Sequence, residues 1–273
     1  MTRTMAGKIL FYVILTLMAV LLFLPVVYAI SASLMSTQEL MTGKLFPSVL
    51  HFSNYTTALA NVPLLKFMFN SLVVSTAVML GQLVVCSLAA YAIVFIDFKG
   101  RNVVFFLLIS TMMIPWEATI IPNYLTILNL KWVNTYYGLT VPHFAIAFGV
   151  FLLRQHFMTI PRELSESAQI EGCGRFRFFL TFVLPLSRSM LSALGVYGFL
   201  TTWNMYLWPL LTTTNDRVRT VQIGIKMMQA QETSTNWPVV MAGVMIVLIP
   251  TLLFLFLSMK QLKRGLMAGA LKG

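Results

Sequence analysis

Apolar residues run along this chain in long blocks, and the charged positions mark where each block ends. A helix that crosses a bilayer needs about 20 predominantly apolar residues. Uncharged stretches of that length or more fill 9–38, 67–96, 132–153, 189–215 and 233–259. A sixth block, from Asn102 to about Tyr124, is interrupted only by Glu117. These blocks predict an all-α membrane protein with six transmembrane helices at about 9–31, 67–95, 102–124, 137–156, 189–212 and 237–259, in a single domain spanning 1–273. The first block has the basic flank of a secretory signal (Arg3, Lys8) and small residues after it (Ala29, Ser31, Ala32). Its apolar core, Ile9 to Ile30, is longer than the 7–15 or so residues of a signal core, so it reads as a retained span.

Composition agrees with lipid as the solvent: 58% of the 273 residues are apolar and 10% are charged, against about 25% charged in a soluble domain. The net charge of +11 could suggest nucleic acid. A nucleic-acid binder, however, needs a clustered basic face on a soluble fold, and these basic residues sit between apolar blocks. They orient the chain instead, because cytoplasmic segments carry the excess of Lys and Arg. With both termini inside, the inner segments hold thirteen of the 19: Arg3, Lys8, Lys99, Arg101, Arg154, Arg162, Arg175, Arg177, Arg188, Lys260, Lys263, Arg264 and Lys272. The outer segments hold the other six: Lys44, Lys66, Lys131, Arg217, Arg219 and Lys226. The long loop 157–187 therefore faces the cytoplasm. Cys86 and Cys173 make no disulfide framework, and His51, His143 and His156 are too scattered for a metal site.

The segment from Pro161 to Gly172 stands apart from the other connections. Pro161 suits a first helical turn, and Glu163 and Glu166 favour the positive N-terminal end of the dipole. Leu164, Ala168 and Ile170 make a short apolar side, and Gly172 with Gly174 stops the helix. The basic-aromatic run Arg175-Phe176-Arg177-Phe178-Phe179 follows and ends at Leu184-Pro185-Leu186. Two short amphipathic helices joined at a glycine turn are expected. Such a pair can lie on the membrane with its Phe residues in lipid and its Arg residues among headgroups, or it can dock into a cytoplasmic partner.

The spacing Glu166-Ser167-Ala168, three residues, Gly172, nine residues, Phe182, one residue, Leu184-Pro185 resembles the EAA loop of bacterial ABC-importer permeases. That pattern runs Glu-Ala-Ala, three, Gly, nine, Ile, one, Leu-Pro. Ser167, Glu171, Cys173 and Phe182 depart from it only by small-for-small, acid-for-acid or apolar-for-apolar changes. Asn54-Tyr55, Asn70-Ser71, Trp203-Asn204 and the end from Gly265 to Gly273 look like the carbohydrate-importer members. The resemblance implies a type I ABC importer permease fold in a bacterial cell membrane. It also implies a coupling helix in which Glu166, Ser167, Ala168, Gly172, Leu184 and Pro185 pass motion from an ATPase. The implied partners are a second homologous permease subunit, two ATPase subunits that bind ATP and Mg, and an extracytoplasmic substrate-binding protein. The tail from Lys263 is either a second ATPase contact or an ordinary basic inner tail.

Within that family, Met113 to Glu117, Phe151 to Pro161, Trp203 to Leu211 and Ile223 to Lys226 are most similar to the branch importing glycerol 3-phosphate or glycerophosphodiesters. Permeases for neutral oligosaccharides share the loop. Lys66, Arg217, Arg219 and Lys226 suit either the entry path of a phosphate ester or contacts with a binding protein. Glu117, between Pro115 and Pro122, is a carboxylate inside lipid, where such groups face a bundle interior or water. It either lines a translocation path in a broken third helix or holds that helix by a bond to a neighbour. Trp203, Asn204 and Tyr206 suit a polyol ligand on the path, with an aromatic belt and interhelical bonding as the rival reading. Trp208 reads as belt.

Other classes fit less well. An ion-coupled carrier would show paired broken helices in an internal repeat. A membrane-embedded enzyme would need convergent acid, base, nucleophile or metal residues, and no such cluster is present. Gly172-Cys173-Gly174 lacks the Lys-Ser/Thr of a phosphate-cradling loop, so ATP belongs to a partner and this chain carries no cofactor.

Overall fold

In the computed structural model, residues 5–229 and 235–270 are described, with side chains described up to Met259 apart from that of Ala6. Fifteen α-helices follow one another with no strand among the described residues: α1 Met5–Ser33, α2 Thr37–Met41, α3 Ser53–Asn61, α4 Leu64–Phe95, α5 Arg101–Ser110, α6 Trp116–Asn129, α7 Tyr136–Thr140, α8 Ala147–Phe157, α9 Arg162–Ile170, α10 Arg175–Phe178, α11 Leu184–Leu186, α12 Arg188–Trp203, α13 Leu207–Thr212, α14 Val221–Gln229 and α15 Trp237–Ala270. The chain divides into two compact units, Met1–Leu65 with Gly224–Ile249, and Lys66–Ile223 with Pro250–Gly273.

Three helices are long and apolar enough to cross a bilayer alone: Gly7–Ser33, Leu64–Phe95 and Trp237–Met259. Three further pairs qualify only as bent spans: Arg101–Met113 with Trp116–Asn129 at 103°, Tyr136–His143 with Ala147–Phe157 at 44°, and Arg175–Leu186 with Arg188–Trp203 at 80°. Of the expected spans, 102–124 is broken at Pro115, in keeping with the broken third helix expected there, and 137–156 is bent as well. Ile114 is extended (φ −86°, ψ 116°) because Pro115 disfavours helical backbone in the residue before it. Ile146 is likewise extended between the last turn after α7 and α8. The expected helix 189–212 is split at Asn204–Tyr206, where α12 ends and α13 begins.

In the first unit, side chains of α1 lie exposed from Lys8 to Tyr28, an apolar surface suited to lipid rather than water. The Asn54 side chain closes the end of α1, its Nδ2 donating to the carbonyls of Ser33 and Met35 at 2.9 Å each. Ser33 Oγ and the Tyr55 hydroxyl lie 2.8 Å apart. A capping box opens α2: Ser36 Oγ accepts from the Glu39 N–H, and the Glu39 carboxylate accepts from the Ser36 N–H. The other Glu39 oxygen accepts from the Ser48 N–H at 2.9 Å. These backbone donors, Ser36 first, hold the Glu39 pKa down at about 2.

In the second unit, one apolar core joins α4 (Cys86, Ala90, Tyr91), α8 (Val150, Leu153, Phe157), α12 (Leu194) and the connection between α8 and α12 (Ala168, Phe178, Phe179, Val183). Helices α4 and α8 approach closely at Gly149, where an added Cβ would stand 2.8 Å from Cys86 Sγ. Small residues serve this purpose between membrane helices. A second core gathers Val74, Val78, Ile120, Ile127, Leu139 and Trp208.

Candidate functional site

The connection between α8 and α12 is built as two short helices around a glycine turn. Pro161 precedes α9, and its fixed φ and missing N–H cost nothing at a helix start. Ala168 is 6% exposed and packs into the α4–α8–α12 core with Leu164 against it. These two are four residues apart and therefore share a face. Ile170, expected on that same apolar side, is instead 87% exposed. At 100° per residue, six positions beyond Leu164 is about 240° around the helix, so it points away from the core. Glu166 and Ser167 are exposed as well. Glu166 also borders a small cleft of about 120 Å³ shared with Val94, Phe95 and Asp97 at the end of α4.

The turn after α9 is a Schellman motif. Gly172 N–H donates to Gln169 O at 3.0 Å, and Cys173 N–H donates to Ala168 O at 2.8 Å. This pairing requires a left-handed residue at the first position beyond the cap, and Gly172 has φ +75°. The Tyr91 hydroxyl of α4 then donates to the Arg175 carbonyl at 2.8 Å, which pins the start of α10. Behind it the Tyr91 ring lies 4.9 Å from that of Phe179, and the Phe95 ring lies 5.5 Å from that of Phe178. A π-helical turn, Phe179–Val183, leads into Leu184-Pro185-Leu186. Ser187 N–H reaches both the Val183 and Leu184 carbonyls at 3.1 Å before the 80° bend into α12. Glu166, Ser167 and Ile170 thus sit on the outer face of a helix clamped along its inner face. That inner face packs into the core shared with α4, α8 and α12, and packed side chains have little compressibility. Phe182, Leu184 and Pro185 belong to the connection into α12, and Phe182 and Leu184 pack against the core.

The four residues expected on a translocation path lie at two of the breaks. Glu117 stands exposed in the first turn of α6, just past Pro115. It has no hydrogen bond or ion pair among the described residues, so the reading in which it bonds a neighbouring helix finds no partner here. Trp203 is 1% exposed and stacks on Phe199 at 5.8 Å, so its ring packs inside the chain and faces no open surface. Asn204 caps α12, with Nδ2 donating to Leu200 O at 2.9 Å. It is exposed, and Tyr206 is half-buried. Trp208, read from the sequence as interfacial belt, is fully buried, and its Nε1–H donates to Gly138 O at 3.0 Å. The two breaks meet through tryptophans: the Trp116 ring lies 5.7 Å from Trp208 and 5.1 Å from His143.

The loop after α13 is held more tightly than its polar composition suggests. Asn70 Nδ2 donates to the carbonyls of Arg217 and Arg219 at 3.1 and 2.9 Å, while its Oδ1 accepts from the Tyr136 hydroxyl at 2.7 Å. Ser71 Oγ accepts from the Val221 N–H at 2.8 Å. Asn134, itself left-handed at φ +59°, exchanges two bonds with Thr214, donating from Nδ2 to Oγ1 and accepting at Oδ1 from the N–H. Of the two arginines expected near the outer face, Arg219 pairs with Asp216 at 2.8 Å and Arg217 stands exposed. No group of three or more metal-ligating residues is assembled among the described residues.

Comparison with known proteins places this geometry. The sn-glycerol-3-phosphate transport system permease protein UgpE of Agrobacterium fabrum is 36% identical over 270 residues, covering 95% of this chain and 96% of that protein. UgpE of Rhizobium meliloti is 38% identical, covering 90% and 91%. Among solved structures, a bacterial ABC transporter involved in the import of the acidic polysaccharide alginate superposes with a TM-score of 0.84. It is 21% identical and covers 95% of this chain and 99% of that one. The fold is therefore that of an ABC importer permease. A further match, at TM-score 0.68 and 16% identity, is the bacterial alginate ABC transporter in complex with an alginate pentasaccharide-bound periplasmic protein, covering 93% of each chain. The family model for inner membrane components of binding-protein-dependent transport systems matches residues 82–266, a stretch that contains both the helix pair around Gly172 and the broken spans. The chain belongs to the family of binding-protein-dependent transport system inner membrane components.

Proposed function

We propose that this chain is one of two membrane-spanning subunits of an ATP-driven importer for glycerol 3-phosphate or glycerophosphodiesters. It crosses the cell membrane six times with both termini in the cytoplasm; the bent pairs Arg101–Met113 with Trp116–Asn129 and Tyr136–His143 with Ala147–Phe157 serve as the third and fourth spans, and the loop 157–187 stays in the cytoplasm. It works with a second homologous permease subunit, two separate ATPase subunits that bind ATP and Mg, and an extracytoplasmic binding protein. One observation carries the coupling part: a nine-residue helix, closed by a Schellman turn and clamped on its inner face, offers Glu166, Ser167 and Ile170 outward. The substrate class rests on the similarity of nearly the whole chain to permeases named for sn-glycerol 3-phosphate.

The geometry suits alternating access. The loaded binding protein docks on the outer loops, of which 213–220 is held to α4 by Asn70 and Ser71. ATP closes the ATPase pair, which moves the helix Arg162–Ile170 and the connection through Leu184 and Pro185 into α12. Hydrolysis returns the spans to the inward-facing state and releases substrate. Glu117, Asn204 and Tyr206 border the path at the breaks after Pro115 and Trp203, and Trp203 supports that wall from behind. A carboxylate repels a phosphate, so Glu117 serves the hydroxyl end of the substrate or the gate.

The test is binding-protein-stimulated ATP hydrolysis by the assembled complex, offered glycerol 3-phosphate, a glycerophosphodiester and a neutral disaccharide. Stimulation by the phosphate esters alone is expected. Stimulation by the disaccharide alone would overturn the substrate and leave the coupling assignment standing.

A further inference from the structure

A groove beneath the second helix of the loop borders the coupling connection at Leu184 and is otherwise unused by it. It is a cavity of about 300 Å³ lined by Val84 and Leu88 of α4, by Phe176 and Leu180, and by Leu184 and Leu191. Ser87 supplies the one hydroxyl in this wall, and it already donates within its own helix to Val84 O at 3.1 Å. The groove therefore offers an occupant contact with hydrocarbon and no hydrogen bond. It is open at the side, where Val84, Leu88, Phe176 and Leu180 are exposed.

Basic residues adjoin the lining along the chain. Arg175 and Arg177 flank Phe176 in α10, and Arg188 stands one turn before Leu191 in α12. All three are exposed, and no ion pair among the described residues involves them. The bond from the Tyr91 hydroxyl to the Arg175 carbonyl sets Arg175 level with Tyr91. From Tyr91 back to Leu83, at the far end of the groove, is about 12 Å along α4 at 1.5 Å per residue. A hydrocarbon leaflet is roughly 15 Å deep, half of a 30 Å core. The groove thus has the reach of one acyl chain and carries positive charge where a headgroup would stand.

We propose that this groove seats an anionic phospholipid of the cytoplasmic leaflet, its chain along Val84, Leu88 and Leu180 and its phosphate among Arg175, Arg177 and Arg188. The inference rests on the cytoplasmic placement of the loop. Charge complementarity selects this occupant over a helix of the second permease subunit, which would cover the apolar wall and leave three guanidinium groups without a counter-charge. Basic pockets at the cytoplasmic side of membrane helices bind anionic headgroups in this manner. A lipid wedged between α4 and the α10–α12 connection would stiffen the route by which the coupling helix moves the spans.

The test is native mass spectrometry of the complete transporter, reconstituted in vesicles of phosphatidylglycerol mixed with phosphatidylcholine and released in detergent. The wild-type complex is expected to retain phosphatidylglycerol in preference to phosphatidylcholine. The double variant R177Q/R188Q should lower that preference by roughly fivefold per arginine. Leu180→Trp, which fills the groove, should release both lipids. Equal retention of the two lipids by the wild type, or unchanged retention of phosphatidylglycerol by R177Q/R188Q, would overturn the proposal. So would a disulfide between Leu88→Cys and a cysteine placed on a span of the second permease subunit. Co-purification of the ATPase subunits is scored in the same spectra. Its loss in the wild type would count against the importer reading, whereas absent lipid preference in an assembled complex counts against the groove alone.

Discussion

Replacing Gly172 probes the proposed coupling turn with little side effect, because the space beside it is empty. A Cβ built there meets no heavy atom within 4 Å, so Gly172→Ala introduces no clash and its cost is that of the left-handed backbone alone. At φ +75° that is about 1–2 kcal/mol for an L-residue with a Cβ, enough to lower the population of the closed turn by roughly 5–30-fold. Asn tolerates this conformation better than Ala, since its short polar side chain bonds locally, and Gly172→Asn should cost less. Gly172→Pro is of a different order. It forces φ to about −65° and removes the N–H that donates to Gln169 O, in total about 3 kcal/mol or more. The expected order of uptake at equal abundance in the membrane is therefore wild type, Asn, Ala and then Pro, with Pro near zero. Substrate uptake and ATP hydrolysis should be measured on the same vesicles, because a broken coupling turn leaves ATPase subunits that no longer drive transport. Normal uptake by Gly172→Pro, or an Ala variant that fails as completely as Pro, would refute the reasoning from backbone conformation.

Other expectations follow from single contacts. Asn70→Ala removes two donors to the Arg217 and Arg219 carbonyls and the acceptor for Tyr136. It should destabilise the loop after α13 by about 1–3 kcal/mol for each buried group left unpaired, read as faster proteolysis within 213–220 and a lower Tm. Trp208→Phe keeps most of the packing but leaves the Gly138 carbonyl without its donor. The expected loss is about 1–3 kcal/mol, whereas an unchanged Tm would return Trp208 to an interfacial role. Glu117→Gln should leave the stability within about 0.5 kcal/mol of wild type, as for an exposed residue with no bond among the described residues, and any effect should be confined to uptake. The Glu39 carboxyl is held at about 2, below its ordinary value of 4.5. Its contribution to the segment 36–48 is fully present above pH 4.5 and is lost as pH falls towards 2. Hydrogen exchange at the Ser36, Glu39 and Ser48 amides should accelerate relative to neighbouring amides across that window, and Glu39→Gln should abolish the difference.

Several pairs that resemble importer permeases are bonding nodes. Asn54 and Tyr55 close the end of α1, Asn70 and Ser71 hold the loop after α13, and Trp203 and Asn204 end α12. Nothing in their composition announces those partners. Asn70 lies 147 residues from Arg217, and a side-chain amide has no local pattern that names a distant carbonyl.

Hydropathy and local backbone chemistry were legible from the residues alone. Apolar blocks of span length, the break at Pro115 and the glycine turn at Gly172 all depend on forces acting within a few residues: transfer of side chains to lipid, the missing N–H and steric demand of proline, and the freedom of glycine at positive φ. The spacing from Glu166 to Pro185 likewise marked the helix pair around Gly172 that we propose couples to an ATPase. Tertiary structure decided everything that depends on which face meets a neighbour. Ile170 stands outward although it is as apolar as Leu164, because helical periodicity places it opposite the packed face. Trp208 is buried rather than interfacial because the Gly138 carbonyl offers its indole a partner. The fifth block is split after Trp203, and Trp203 itself is enclosed. Hydrophobicity measures how favourable it is to leave water; it does not distinguish lipid from a packed interior, and only the fold makes that choice.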